Sequence, residues 1–291
     1  MNHYCERPSL RTALGLTQWS LLRLMLPLVA CLLAVACQSA WAETLKFGGT
    51  GSSNPLVKLL FDEFRKQTPR AELQVNDPPL GSGGALRALA GGRIDLAMVG
   101  RPLKPEESAK LGRHIELAAT PFVMVSLDGK KASGFRIEEL ASIYDGRLTR
   151  WDGGTQIRLV LRASQESDTL ALKAMSPQMD KAVDAAAQRA GMALGQDDLD
   201  TLDLLSKTPG SLGPSTLGLL STTGTRLTVF PINGVKPSLA TMKNGSYPWH
   251  KTMFVVLPKN PTPLAEQFVA FLRGQQAGSL LLSHDYLPQQ P

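Results

Sequence analysis

Gly48-Gly49-Thr50-Gly51-Ser52-Ser53-Asn54-Pro55 is the stretch on which the reading of this chain turns. It follows Leu45-Lys46-Phe47, a short strand, and runs into Leu56-Val57-Lys58-Leu59-Leu60-Phe61-Asp62-Glu63-Phe64. Positions 56, 59, 60 and 64 of that segment fall on one helical face. The pattern then repeats. Ala71-Glu72-Leu73-Gln74-Val75 alternates as a strand, and Gly81-Ser82-Gly83-Gly84 leads into the helix formers Ala85-Leu86-Arg87-Ala88-Leu89-Ala90. A helix N-terminus offers unpaired N–H groups and a partial positive charge, and glycine lets a small anion come close to that backbone. Either loop alone also fits an ordinary glycine turn with serine caps. Two of them in one strand–loop–helix series read as half of an oxyanion cradle.

Outward from these loops, Ile94–Val99 reads as a buried strand, and Ile115–Leu117 with Pro121–Leu127 as further strand ending at the Asp128-Gly129 turn. Repeated strand–loop–helix units predict an α/β fold with a mainly parallel sheet, in which ligands bind at the carboxyl ends of strands. A second α/β segment begins with a helix over 137–144, a strand over Arg158–Arg162 and helical material from Leu170 to Met192. Residues 209–216 read as a loop rich in turn residues. Thr252–Leu257 reads as a returning strand, and Pro263–Leu272 as a helix with its apolar face at 264, 268, 271 and 272. With no low-complexity linker and no repeat, two lobes joined by strand crossings fit better than domains in series.

Residues 1–42 read as an export signal. Arg7, Arg11 and Arg23 precede a 14-residue apolar run from Leu24 to Cys37, and Ala40-Trp41-Ala42 supplies small residues for cleavage after Ala42. The run falls short of the roughly 20 residues that span a bilayer. A lipobox reading of Leu28-Val29-Ala30-Cys31 is the rival, but Cys31 lies inside the apolar run. All three cysteines fall in this leader, so the exported chain has neither disulfides nor thiolate chemistry. The leader holds three arginines and Glu6, a net of +2, which leaves +4 of the chain's +6 on residues 43–291. That mild charge, without clustered Lys/Arg runs, suits a small anion and argues against nucleic acid. Beyond the leader only His114, His250 and His284 remain, widely spaced, with no nucleophile elbow and no Walker lysine. The reading is of a protein that is not an enzyme and uses no cofactor or metal.

The order of motifs resembles the phosphate-binding periplasmic proteins of bacterial ABC importers, the PstS-like group. The resemblance runs from Phe47 to Pro288. It is carried by Gly49–Pro55; Gly81–Gly84; Gly92-Arg93-Ile94-Asp95-Leu96-Ala97; and Arg101-Pro102-Leu103-Lys104-Pro105-Glu106-Glu107. Ile143-Tyr144-Asp145-Gly146 with Trp151, then Ile232-Asn233-Gly234-Val235-Lys236-Pro237, Tyr247-Pro248, Phe268–Leu272 and Tyr286-Leu287-Pro288 complete it. It implies a two-lobe type II periplasmic binding protein fold with a ligand cleft between lobes: residues 43–124 plus 252–291 as the first lobe and 125–251 as the second. It also implies a monomer that captures inorganic phosphate or a similar tetrahedral oxyanion and delivers it to an inner-membrane permease. Thr50, Gly51, Ser52 and Ser53 match the first anion loop and Ser82, Gly83 and Gly84 the second. Arg101 matches an arginine before Pro-Leu. Arg162, Ser167 and Thr169 match the arginine, serine and threonine of the second lobe's loop, with Asp168 between the last two.

Three departures qualify the resemblance. Asp168 stands where that loop usually has glycine, with Glu166 two residues earlier, and Arg162 is one residue further from Thr169 than usual. Gly100 takes the place of an aspartate that accepts the proton of hydrogen phosphate. Asp168 and Glu166 could restore that acceptor, could be solvated residues at a helix start, or could repel the anion. In the last case the chain is a regulatory or interaction protein on the same scaffold.

Overall fold

The computed structural model describes residues 43–289; the segment expected to be an export signal, with its expected cleavage site and the three cysteines, lies outside them. The strands are β1 (Glu43–Gly49), β2 (Ala71–Val75), β3 (Leu96–Val99), β4 (His114–Ser126), β5 (Arg158–Arg162), β6 (Ala193–Gly195), β7 (Ser211–Thr216), β8 (Thr228–Val229), β9 (His250–Val256) and β10 (Leu287–Pro288). The helices are α1 (Ser53–Phe64), α2 (Gly81–Ala90), α3 (Pro105–Ser108), α4 (Ile137–Tyr144), α5 (Ser167–Ala174), α6 (Pro177–Ala187), α7 (Asp198–Lys207), α8 (Leu217–Thr223), α9 (Leu239–Lys243), α10 (Pro263–Leu272) and α11 (Gln275–Ser283). Among the described residues no helix is long and apolar enough to cross a membrane.

One continuous sheet runs β2-β1-β3-β9-β4-β7-β5-β6, with β8 and β10 also pairing β4. It is mixed rather than mainly parallel. The ladders β1·β2, β1·β3, β5·β6 and β5·β7 are parallel, whereas β9 and β4 run antiparallel to their neighbours. The strand material read at 115–117 and 121–127 belongs to one continuous strand, β4, which carries a register shift between Glu116 and Ala118. Residues 211–216 form the buried strand β7 instead of a loop. Gly213 lies so close to its neighbours that a Cβ there would stand 2.9 Å from the Val160 carbonyl oxygen. Close packing between β4 and β5 therefore uses residues whose local preference is for turns.

The apolar interior draws on two stretches of chain. Residues from 45 to 118 and from 253 to 286 build one part, in which Phe61 and Phe268 meet edge-on at 5.2 Å. Residues 122 to 247 build the other, where Phe135 and Phe230 meet at 5.0 Å and the Tyr247 hydroxyl donates to the Phe122 carbonyl. Strands β4 and β9 pass between them. This arrangement puts the end of β1, the starts of α1, α2, α5 and α7, and Lys251 of β9 around one region.

Candidate functional site

The first glycine loop leaves β1 at Gly49 and enters α1 at Ser53. It is held by its own groups: Thr50 Oγ1 and Ser52 Oγ lie 3.0 Å apart, and Ser53 Oγ donates to the Thr50 carbonyl at 2.7 Å. Ser52, the N-cap of α1, makes no side-chain cap, so its hydroxyl does not cover the helix's first N–H groups. The second glycine stretch is not a loop ahead of a helix. It is the first turn of α2, which starts at Gly81 with a left-handed φ of 66°. Ser82 Oγ, buried, accepts from the Gly100 amide at 3.3 Å. Gly83 and Gly84 follow in the same turn, next to Arg87.

Arg162 ends β5 and is 6 % exposed. Its guanidinium donates to Glu166 at 3.1 Å, while Nη1 lies 3.6 Å from Asp168 and 3.7 Å from Asp198. Lys251 of β9 is buried and reaches the same two aspartates: Nζ is 2.5 Å from Asp168 Oδ1 and 2.9 Å from Asp198 Oδ1. Two cations and three carboxylates, Glu166 the most exposed of them, thus form one set, in which Arg162 Nε and Nη1 are buried without a hydrogen-bond partner. Burial opposes the charge on Lys251 and on Arg162, but the neighbouring aspartates outweigh it and hold both groups protonated above their ordinary ranges. Burial likewise opposes charge on Asp198. Lys251 and Arg162, helped by the Ser52 amide, outweigh it and hold this carboxyl below the ordinary aspartate range. The Tyr144 phenol is buried, and desolvation together with Asp168 pushes its pKa up.

The first turn of α5 supplies the residues read as the second lobe's loop. Ser167 and Asp168 face the cluster, and Ser167 Oγ lies 3.3 Å from where a Cβ on Gly100 would stand. Asp168 is 3 % exposed and ion-paired, which removes the reading of it as a solvated helix-start residue. Thr169 turns away, donating to the carbonyls of Ala163 and Arg162 and so fixing the entry to α5. Arg101 also stands apart: its guanidinium grips both oxygens of Glu107, at 2.8 and 2.7 Å, and the Pro102 carbonyl. Gly100 has a steric reason. The side-chain stem of Lys251 occupies the space a Cβ there would enter.

Lys251 and Asp198 were not among the residues expected at the site. Asp197 and Asp198 open α7 within a run of acids that reads as a solvated helix start, and Asp197 does cap it, accepting from the Leu199 and Asp200 amides. Lys251 sits near the start of an apolar strand, where a lysine ordinarily reaches solvent. The available signal was Lys251 preceding Met253-Phe254-Val255-Val256, the buried run of that strand.

A mixed sheet with glycine-rich helix starts near buried cations, and with its interior divided between two stretches of chain, has the two-lobe α/β architecture of periplasmic binding protein structures. The chain belongs to the PBP superfamily, whose domain model matches residues 34–275. It is 31% identical over 104 residues to the phosphate-binding protein PstS 2 of Streptococcus pneumoniae, a match covering 36% of this chain and about a third, 35%, of that relative's length. The phosphate-binding protein PstS of Bacillus subtilis is 23% identical over 251 residues, 84% of this chain and 80% of that one. A protein from Clostridium perfringens described as a phosphate ABC transporter substrate-binding protein, solved with bound phosphate, shares the fold at a TM-score of 0.72. It is 16% identical, over 85% of this chain and all of that one.

Proposed function

We propose that the protein is a periplasmic receptor that captures inorganic phosphate, or a similar tetrahedral oxyanion, for an ABC importer. The observation that carries this is the gathering of two glycine-bearing helix starts, at Ser53 and Gly81, about the buried cations Arg162 and Lys251: Gly51 packs on Asp198, which pairs Lys251, and Gly81 lies beside Glu166, which pairs Arg162. Backbone N–H groups and charged donors aimed at one place are what an oxyanion needs, and charge-assisted hydrogen bonds are the strong ones. Relatives that bind phosphate support the choice of ligand. Residues 43–124 with 252–291 form one lobe and 125–251 the other, and the lobes close about the β4–β9 crossing. Ser52, Ser82, Arg162 and Ser167 hold the anion, joined by Lys251. The leader is removed after Ala42, the receptor works as a monomer in the periplasm, and it carries its ligand to a permease without chemistry of its own.

A second reading, a regulatory or interaction protein on the same scaffold, is favoured by one observation: Asp168 and Asp198 already neutralise both cations. Calorimetric titration of phosphate-free protein with phosphate and then sulfate separates the two. Micromolar or tighter phosphate binding supports the receptor. No heat with either anion at two temperatures favours the regulatory scaffold.

A further inference from the structure

Carboxylates of the chain itself face both glycine segments. The start of α7 is pressed against the first: a Cβ on Gly51 would stand 2.7 Å from the Asp198 amide nitrogen, 2.8 Å from Asp197 Oδ1 and 3.0 Å from the Asp198 Cβ. The Asp198 carboxylate hydrogen-bonds Lys251 and lies 3.7 Å from Arg162 Nη1. Glu166 faces the second segment, with Oε1 3.6 Å from the point where a Cβ on Gly81 would stand. The two buried cations are matched by two buried aspartates, and the partly exposed Glu166 pairs Arg162 as well, so the set carries no net positive charge before any solute arrives. A hydrogen phosphate dianion placed among these groups would confront both aspartates at short range, where burial makes like charges repel strongly.

We propose that Asp198 is an intramolecular competitor for the anion site: its carboxylate and a solute oxyanion use the same donors and exclude one another. The inference rests on the receptor reading above and names the residue that sets its affinity. Asp198 is the exchanging group because it hydrogen-bonds Lys251, lies 3.7 Å from Arg162, and belongs to the helix start packed against Gly51 of the first glycine loop. Asp168 reaches only the two cations. When Asp198 leaves, Lys251 keeps Asp168 as a partner, and the two buried cations are left with one buried aspartate between them. Binding strength then reflects the exchange of one anion for another, rather than the filling of a bare cationic pocket.

The test uses protein exported from the full-length gene, stripped of phosphate, with Asp198→Asn and Asp198→Ala beside the wild type. Each is titrated calorimetrically with inorganic phosphate at neutral pH, after circular dichroism has verified folding. The asparagine keeps the side-chain shape if the alanine variant fails to fold. Both variants are expected to bind phosphate at least tenfold more tightly than the wild type; binding by the variants alone would support the same conclusion more strongly. Equal or weaker binding by the variants, with a wild type that binds, overturns the competition and leaves the receptor standing. Absence of binding of phosphate, sulfate and molybdate by all three proteins overturns the receptor reading and the competition with it.

Discussion

Lys251 Nζ and Asp198 Oδ1 meet at 2.9 Å with their side chains 2 and 4 % exposed, although 53 residues separate them in the chain. The same ammonium bonds Asp168, so one lysine from β9 ties the first turns of α5 and α7 together. Removing one partner from a buried ionic set leaves an uncompensated charge. Lys251→Met strands two carboxylates at once and is expected to destabilise the fold by about 3–5 kcal/mol. Urea unfolding at pH 7 measures this, and a loss under about 1 kcal/mol would mean that the set is solvated in solution.

The depressed pKa of Asp198 fixes the sign of one pH dependence. The folded carboxyl lies below the unperturbed 3.8, so the unfolded chain binds the proton more readily. The stability this group contributes is fully present above the unfolded value and is lost as pH falls toward the folded one. Between pH 5 and pH 3 the wild type is expected to lose more stability than Asp198→Asn, which cannot titrate there. Denaturant midpoints at pH 5, 4 and 3 check the difference, and parallel curves would contradict it. Lys251 works in the opposite sense: its pKa is raised, so its contribution persists below 10.5 and fades only above it.

Gly100 and the stem of Lys251 compete for one volume. Gly100→Ala in the wild type is expected to cost about 1–3 kcal/mol through overpacking. In a Lys251→Ala background that cost should shrink by about 1 kcal/mol or more, because touching residues are not additive. A double-mutant cycle of unfolding free energies gives the coupling, and simple additivity would place the clash elsewhere.

Ser82 and Arg101 should behave differently as ligand residues. Ser82→Ala removes a buried hydroxyl at the start of α2 and is expected to weaken phosphate binding by about 1–2 kcal/mol, roughly 5- to 30-fold. Arg101 is engaged with Glu107, so Arg101→Ala is expected to change affinity by less than about threefold and to cost about 1 kcal/mol or less in stability. Titration of both variants with phosphate decides; a large loss with Arg101→Ala would return that arginine to the site.

What could be read along the chain was whatever local preference and periodicity govern. The helix over 137–144 and the strand over 158–162 have the bounds their patterns predict, and the glycine segments at 48–55 and 81–84 do open helices. Their physics is local: apolar spacing sets a helix face, and glycine leaves first-turn N–H groups uncovered. Arg162, Ser167 and Asp168 were grouped by the family resemblance rather than by local pattern, and Arg162 and Asp168 do lie 3.6 Å apart.

Tertiary structure decided the rest. Ser211–Thr216 became a strand because β4 and β5 flank it, and burial between them outweighs the turn preference of Gly213 and Pro214. Asp198 and Lys251 entered the site because the sheet brings β9 beside the starts of α5 and α7. An aspartate beginning a helix looks the same in sequence whether it caps that helix in water or pairs with a buried lysine. Only packing determines whether a partner charge arrives within 3 Å, and at that distance the charge pairing outweighs the desolvation that each group alone could not bear.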